Sequence, residues 1–130
     1  IVLKGIMRAD DAAKAVSEGY EGIMVSNHGG RQVDGGIGAL DALPGVVAAA
    51  AGKIPVFMDS GIRCGADIFK ALALGATAVG IGRPYVYGLS LAGDQGVQTV
   101  LEYLLAELDL TMALNGCPTP KDITPGNLHR

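Results

Sequence analysis

The 130 residues suffice for one domain with a real hydrophobic core and are too few for two of ordinary size. With 49% hydrophobic residues, 20 glycines and only 5% aromatics, the chain is neither disordered nor fibrous, and suits helices packed on a buried sheet. The formal charge of -3 gives no support for nucleic-acid binding, which needs a basic face, so any bound anion must be met by a few placed cations.

The first predicted strand covers residues 1–5, and its helix starts near Asp10 or Asp11, either of which can cap it, and stops at Gly19. A second strand follows at residues 22–26. The loop of residues 27–36 is too long for a mere connector, and it leads into a helix with Leu40, Leu43, Val46, Val47 and Ala50 at helical spacing. A third strand, residues 54–59, is unbroken in hydrophobicity until Asp59, as a parallel strand buried on both faces should be. After the loop Ser60, Gly61, Ile62, Arg63 a helix runs to Gly75. The fourth strand, residues 78–82, meets Arg83 and Pro84, which is placed to open a short helix. A longer helix over residues 95–114 carries Leu101, Leu104, Leu105, Leu108 and Met112 as a packing stripe. Beyond Gly116 the polar, proline-rich chain is expected to be a surface segment. Strands alternating with helices predict an α/β fold built on a parallel sheet.

No run approaches the roughly 20 apolar residues of a membrane span, so no stable membrane insertion is expected. Cys64 and Cys117 lack metal or disulfide spacing and read as reduced thiols of an intracellular protein. Because the chain opens directly on the strand-like Ile1, Val2 and Leu3, it is expected to be part of something longer.

Each strand carries its special residues at or just beyond its carboxyl end: Lys4; then Ser26, His28 and Arg31; then Asp59 and Arg63; then Gly82 and Arg83. Active sites of parallel α/β folds form at those ends. Lys4 either meets a partner such as a bound anion or electron-rich ring, or snorkels to water, and the strand alone leaves both open. The loops of residues 60–63 and 80–83 each combine glycine with a final arginine. Glycine lets backbone N–H groups approach a phosphate, and two guanidinium forks suit its oxygens. His28 alone would be a solvated loop residue. With Arg31 three positions on, it becomes an imidazole able to take a proton beside a guanidinium able to clamp a carboxylate, as oxidation of a hydroxy acid requires.

The run Ser26-Asn27-His28-Gly29-Gly30-Arg31-Gln32 closely resembles the SNHGxRQ signature of the FMN-dependent α-hydroxy-acid dehydrogenases and oxidases. The resemblance extends through Lys4-Gly5, residues 55–63, residues 70–76 and Ile81-Gly82-Arg83-Pro84, nearly the whole chain. It implies a TIM (β/α)8 barrel, of which residues 1–130 would supply the carboxy-terminal half, four βα units corresponding to strands five to eight. It implies FMN as cofactor and oxidation of a lactate- or glycolate-like L-2-hydroxy acid to the 2-keto acid. His28 would be the base, by hydride transfer or by Cα deprotonation, and Arg31 would bind the substrate carboxylate. Lys4 and Ser26 would contact the flavin ring, and Asp59, Ser60, Gly61, Ile62, Arg63, Gly82 and Arg83 its ribityl chain and phosphate. The family's first half, with further flavin contacts, tyrosines, a second arginine and an aspartate that orients the histidine, has no counterpart in these residues.

The expected partners are the small 2-hydroxy acid and either further copies, in a tetramer-like homo-oligomer of the complete protein, or the missing amino-terminal half. The ending Asn127-Leu128-His129-Arg130 lacks a peroxisomal signal, so a bacterial cytoplasm is the expected compartment. Two other readings remain at this point: another FMN- or phosphate-binding TIM-barrel enzyme, and an inactive half-barrel acting only by association.

Overall fold

The computed structural model describes residues 1–129; Arg130, the last residue of the ending considered above, lies outside them. Four short strands, β1 (Val2–Lys4), β2 (Gly22–Val25), β3 (Val56–Met58) and β4 (Ala78–Val79), form one sheet in chain order, and every pair is parallel. They are shorter than the predicted strands at one or both ends. The ladder nevertheless runs on where Gly5, Asp59 and Gly80 donate to the carbonyls of Met24, Val25 and Met58.

Consecutive strands of a parallel sheet need a crossover between them, and α1 (Ala9–Ser17), α2 (Ala39–Ala50) and α3 (Gly65–Ala73) supply the three. With right-handed crossovers and strands laid down in order, all the helices fall on one face of the sheet. Residues 23, 25, 56 and 58 of the strands are buried, and they share one core with Ala12, Ala15, Leu43, Val46 and Ala71 of the helices. The alternate register row, Lys4, Met24, Phe57 and Ala78, faces the other way and is only partly covered or exposed. That second face carries the site.

Several local expectations need correction. The cap of α1 is Arg8 in extended conformation, so neither Asp10 nor Asp11 caps the helix; both lie in its first turn, where a carboxylate still favours the helix dipole. The short and long helices after β4 are one element, α4 (Arg83–Leu114), broken at Ala92 and Gly93, whose backbone angles are not helical. Of its expected packing stripe, Leu104 and Met112 are buried and Leu108 is half-buried, whereas Leu101 and Leu105 stay exposed.

The polar tail is not simply a surface segment. Tight turns at Pro120–Asp122 and Pro125–Asn127 bring Cys117 and Ile123 into a second cluster with Phe69, Ala73 and Met112. Thr119 and Thr124 initiate the turns by meeting Asp122 and Asn127 through both side chain and backbone. Both cysteines are free, Cys117 buried and Cys64 half-buried. Among the described residues no helix is long and apolar enough to cross a membrane.

If the tail is a working part of the fold, Ile123→Ala should lower unfolding stability by about 2 kcal/mol or more, the usual cost of emptying a buried aliphatic site. Urea unfolding monitored by circular dichroism checks this, and a surface tail would give a change near zero.

Candidate active site

The side-chain alternation that buries one face of the sheet also fixes what stands at its carboxyl edge. Lys4 pairs in register with Met24, which pairs with Phe57, so Ser26 and Asp59, two residues further along their strands, project to the same side as Lys4. Lys4 Nζ donates to Ser26 Oγ at 2.8 Å and to Asp59 Oδ2 at 2.5 Å. One ammonium therefore joins the ends of three adjacent strands. The partner that the sequence left open is, within the chain, a carboxylate of the neighbouring strand end.

The serine hydroxyls extend this network to the loop after β2. Ser26, 2% exposed, accepts from His28 N at 3.2 Å. Ser60 Oγ accepts from Gly29 N at 3.0 Å and donates to Asp59 Oδ1 at 3.0 Å. Ser60 does this from a left-handed backbone, φ 77, followed by Gly61 at φ 87. Its bridging role was missed in the sequence, where only the neighbouring glycine signalled a special turn.

His28 also has a left-handed backbone, φ 56, a conformation that histidine tolerates better than bulky or branched residues. Asn27 makes the turn possible, since its carbonyl and Oδ1 both accept from Gly30 N. Arg83 Nη2 donates to Gly29 O at 3.0 Å, tying the loop after β4 to the histidine loop. A side chain on Gly29 would meet that guanidinium.

Of the residues singled out in the sequence, Lys4, His28, Arg31, Asp59, Ser60, Gly61, Ile62, Arg63, Gly82 and Arg83 border a single cavity of about 230 Å³. Ser26 is buried behind Lys4 and His28 and bonded to both. Gly80, Ile81 and Pro84 complete the wall after β4.

The electrostatic balance of the cavity is uneven. Asp59 is the carboxylate on its wall, and Lys4 engages it. Burial alone pushes the Asp59 carboxyl up, but Lys4, the hydroxyls of Ser26 and Ser60, and the Lys4 charge together outweigh this and hold it below its ordinary value. Arg31, Arg63 and Arg83 enter no ion pair among the described residues. Three guanidiniums without carboxylate partners around one concavity favour an anionic occupant. No cluster of three or more metal-ligating side chains occurs among the described residues.

The sequence profile of the family described as FMN-dependent dehydrogenase matches residues 1–130. The L-lactate oxidase of Nostoc sp. is 57% identical over 129 residues, which is 99% of this chain and 35% of that protein. The crystal structure of a soluble mutant of the membrane-associated (S)-mandelate dehydrogenase from Pseudomonas putida superposes with a TM-score of 0.94 at 45% identity, covering 98% of this chain and 36% of that one. A mandelate oxidase mutant with a monooxide FMN adduct gives a TM-score of 0.89 at 48% identity, covering 92% and 38%. The chain thus spans about a third of the length of these relatives.

The lowered Asp59 pKa fixes the sign of a pH effect. Its ion pair contributes fully above the ordinary carboxylate range near pH 4, and that contribution is lost as the pH falls through the lower folded-state value. The stability gap between the wild type and Asp59→Asn should accordingly be constant at neutral pH and shrink below about pH 4. Chemical unfolding of both proteins across pH 2.5–7 (roughly the accessible acid range) tests this; a gap that widens on acidification contradicts it.

Proposed function

This chain belongs to the FMN-dependent dehydrogenase family, and on that premise we propose that it carries the base, the substrate arginine and the flavin anchors of an enzyme oxidising an L-2-hydroxy acid to the 2-keto acid. The observation that carries the reading is the cavity itself: one imidazole, and three guanidiniums without an ion pair among the described residues, at the carboxyl ends of parallel strands. Its four βα units are read as strands five to eight of a closed barrel. In such barrels phosphate sites sit in the loops after strands seven and eight, and here those loops hold Arg63 and Arg83.

The lining suits the flavin mononucleotide. Glycines 61, 80 and 82 expose backbone where a phosphate must approach closely, and Arg63 and Arg83 offer forks to its oxygens. Lys4, with Ser26 behind it, would face the electron-rich side of the ring. When bound, FMN supplies the acceptor for the two electrons that leave the substrate. Arg31 would hold the substrate carboxylate through a bidentate fork, which orients the hydroxyl-bearing carbon. His28 would take the substrate proton, from the hydroxyl or from Cα. Its main chain is held by Ser26 and its loop by Ser60 and Arg83, so the imidazole is presented from a braced turn.

The lactate-like substrate class, a tetramer-like assembly of copies and a bacterial cytoplasmic setting belong to the same reading. A TIM barrel takes roughly 250 residues, so the remaining enclosure of the ring is assigned to an amino-terminal half. Activity is therefore to be measured on protein that includes it.

The test reconstitutes that protein with FMN and follows flavin bleaching without oxygen on addition of L-lactate, glycolate or L-mandelate. Failure to bind flavin, or bleaching by none of the acids, would overturn the proposal. His28→Ala should lower turnover by about 10²- to 10⁴-fold with FMN still bound, the usual range for removing a general base. Arg31→Lys should chiefly raise KM, by about tenfold or more, because an ammonium cannot reproduce the fork. Near-normal turnover in the His28 variant would remove that residue from the mechanism.

A further inference from the structure

The arginines assigned to the phosphate stand at the ends of different loops. Arg63 ends the loop that leads into α3, and Arg83 is the first residue of α4. Amides at the start of a helix are the usual grip on a phosphate, yet three at or just before the start of α3 are already engaged. Arg63 N and Cys64 N donate to Asp67 Oδ2 at 3.0 and 3.3 Å, and Gly65 N donates to Glu107 Oε2 at 2.8 Å.

Asp67 belongs to α3 itself, but Glu107 reaches across from the far part of α4. The two helices touch backbone to backbone, since a Cβ on Gly65 would overlap the Leu108 nitrogen and the Glu107 carbonyl carbon. The two parts of α4 are locked together in the same way. Across its break at Ala92 and Gly93, Gly88 and Gly96 approach so closely that a Cβ on either would overlap the other's carbonyl oxygen. Two close contacts, Gly65 on Glu107 and Gly96 on Gly88, joined by stretches of α4, therefore connect the segment of Arg63 to that of Arg83.

We propose that Glu107 is a positioning residue of the anion site. By accepting from Gly65 N it seats the start of α3 on α4, and so sets the spacing of Arg63 and Arg83 at which a phosphate monoester is gripped. The identity of that ligand rests on the functional reading above; the helix contact does not. Reach, rather than charge, is what Glu107 contributes. It is an exposed residue, and a negative charge near an anion site would by itself oppose binding.

Reach and charge are separable by substitution. Glu107→Gln keeps the reach and loses the charge, Glu107→Asp keeps the charge but is one methylene short, and Glu107→Ala loses both. The full-length protein and each variant are stripped of flavin and titrated with FMN and with inorganic phosphate, and amide exchange is followed over residues 61–66. The Asp and Ala variants should bind both ligands about fivefold more weakly, the scale of losing one helix-terminal bond, and should exchange faster at Gly65. The Gln variant should stay within about twofold of wild type. Tighter binding by the Gln variant, or wild-type affinity in the Asp variant, overturns the proposal. If the wild type binds neither FMN nor phosphate, the functional reading fails separately. Exchange then decides for Glu107, with unchanged protection at residues 61–66 in the Asp variant counting against it. Should the Ala variant not fold, the Gln and Asp pair carries the comparison.

Discussion

The site depends on the Lys4 ammonium held between Ser26 and Asp59. Two neighbouring strands present those acceptors at one height because the sheet is parallel and in register, so β1, β2 and β3 end together. Had any strand slipped by one residue, its polar residue would have turned into the core beside Val25 and Met58. The apolar packing on the helix face thus specifies the polar arrangement on the other.

From that pair the order spreads through hydroxyls and backbone. Ser26 and Ser60 receive the amides of His28 and Gly29, and Arg83 donates to the Gly29 carbonyl. The loops after three strands are thus held by short polar bonds. Left-handed backbones at His28 and Ser60 carry a conformational cost, and such strain persists where the surroundings over-determine it. Here three bonded neighbours do so.

Much of this was legible in the sequence because periodicity and polarity vary together along it. The apolar strands with polar ends located the edge, and Gly19 and Gly75 marked helix ends, where both take positive φ. Less legible was anything set by contacts distant in sequence. The Lys4–Asp59 pair links residues 55 positions apart, and the lysine alone did not show whether its partner was a ligand, water or the chain. Leu101 and Leu105 fit the stripe as well as Leu104 does, yet they lie exposed, since helical spacing names a face without saying how much of it is covered. Composition misled at the tail, where prolines and threonines that suggest a surface segment make tight turns that bury Cys117 and Ile123.

The charges around the cavity give the functional reading a quantitative form. Asp59, its pKa lowered by its neighbours, remains ionised at neutral pH and offsets Lys4, which leaves Arg31, Arg63 and Arg83 with about three positive charges unmatched among the described residues. A phosphate monoester carries about −1.5 to −2 at neutral pH and a substrate carboxylate about −1. Together they come close to balancing the arginines, with Arg63 and Arg83 assigned to the phosphate and Arg31 to the carboxylate. Phosphate binding alone would leave roughly one guanidinium charge uncompensated beside His28, and that residual charge favours the carboxylate over a neutral analogue of the same shape. In this arrangement Arg31, the charge that the phosphate leaves over, selects the acid.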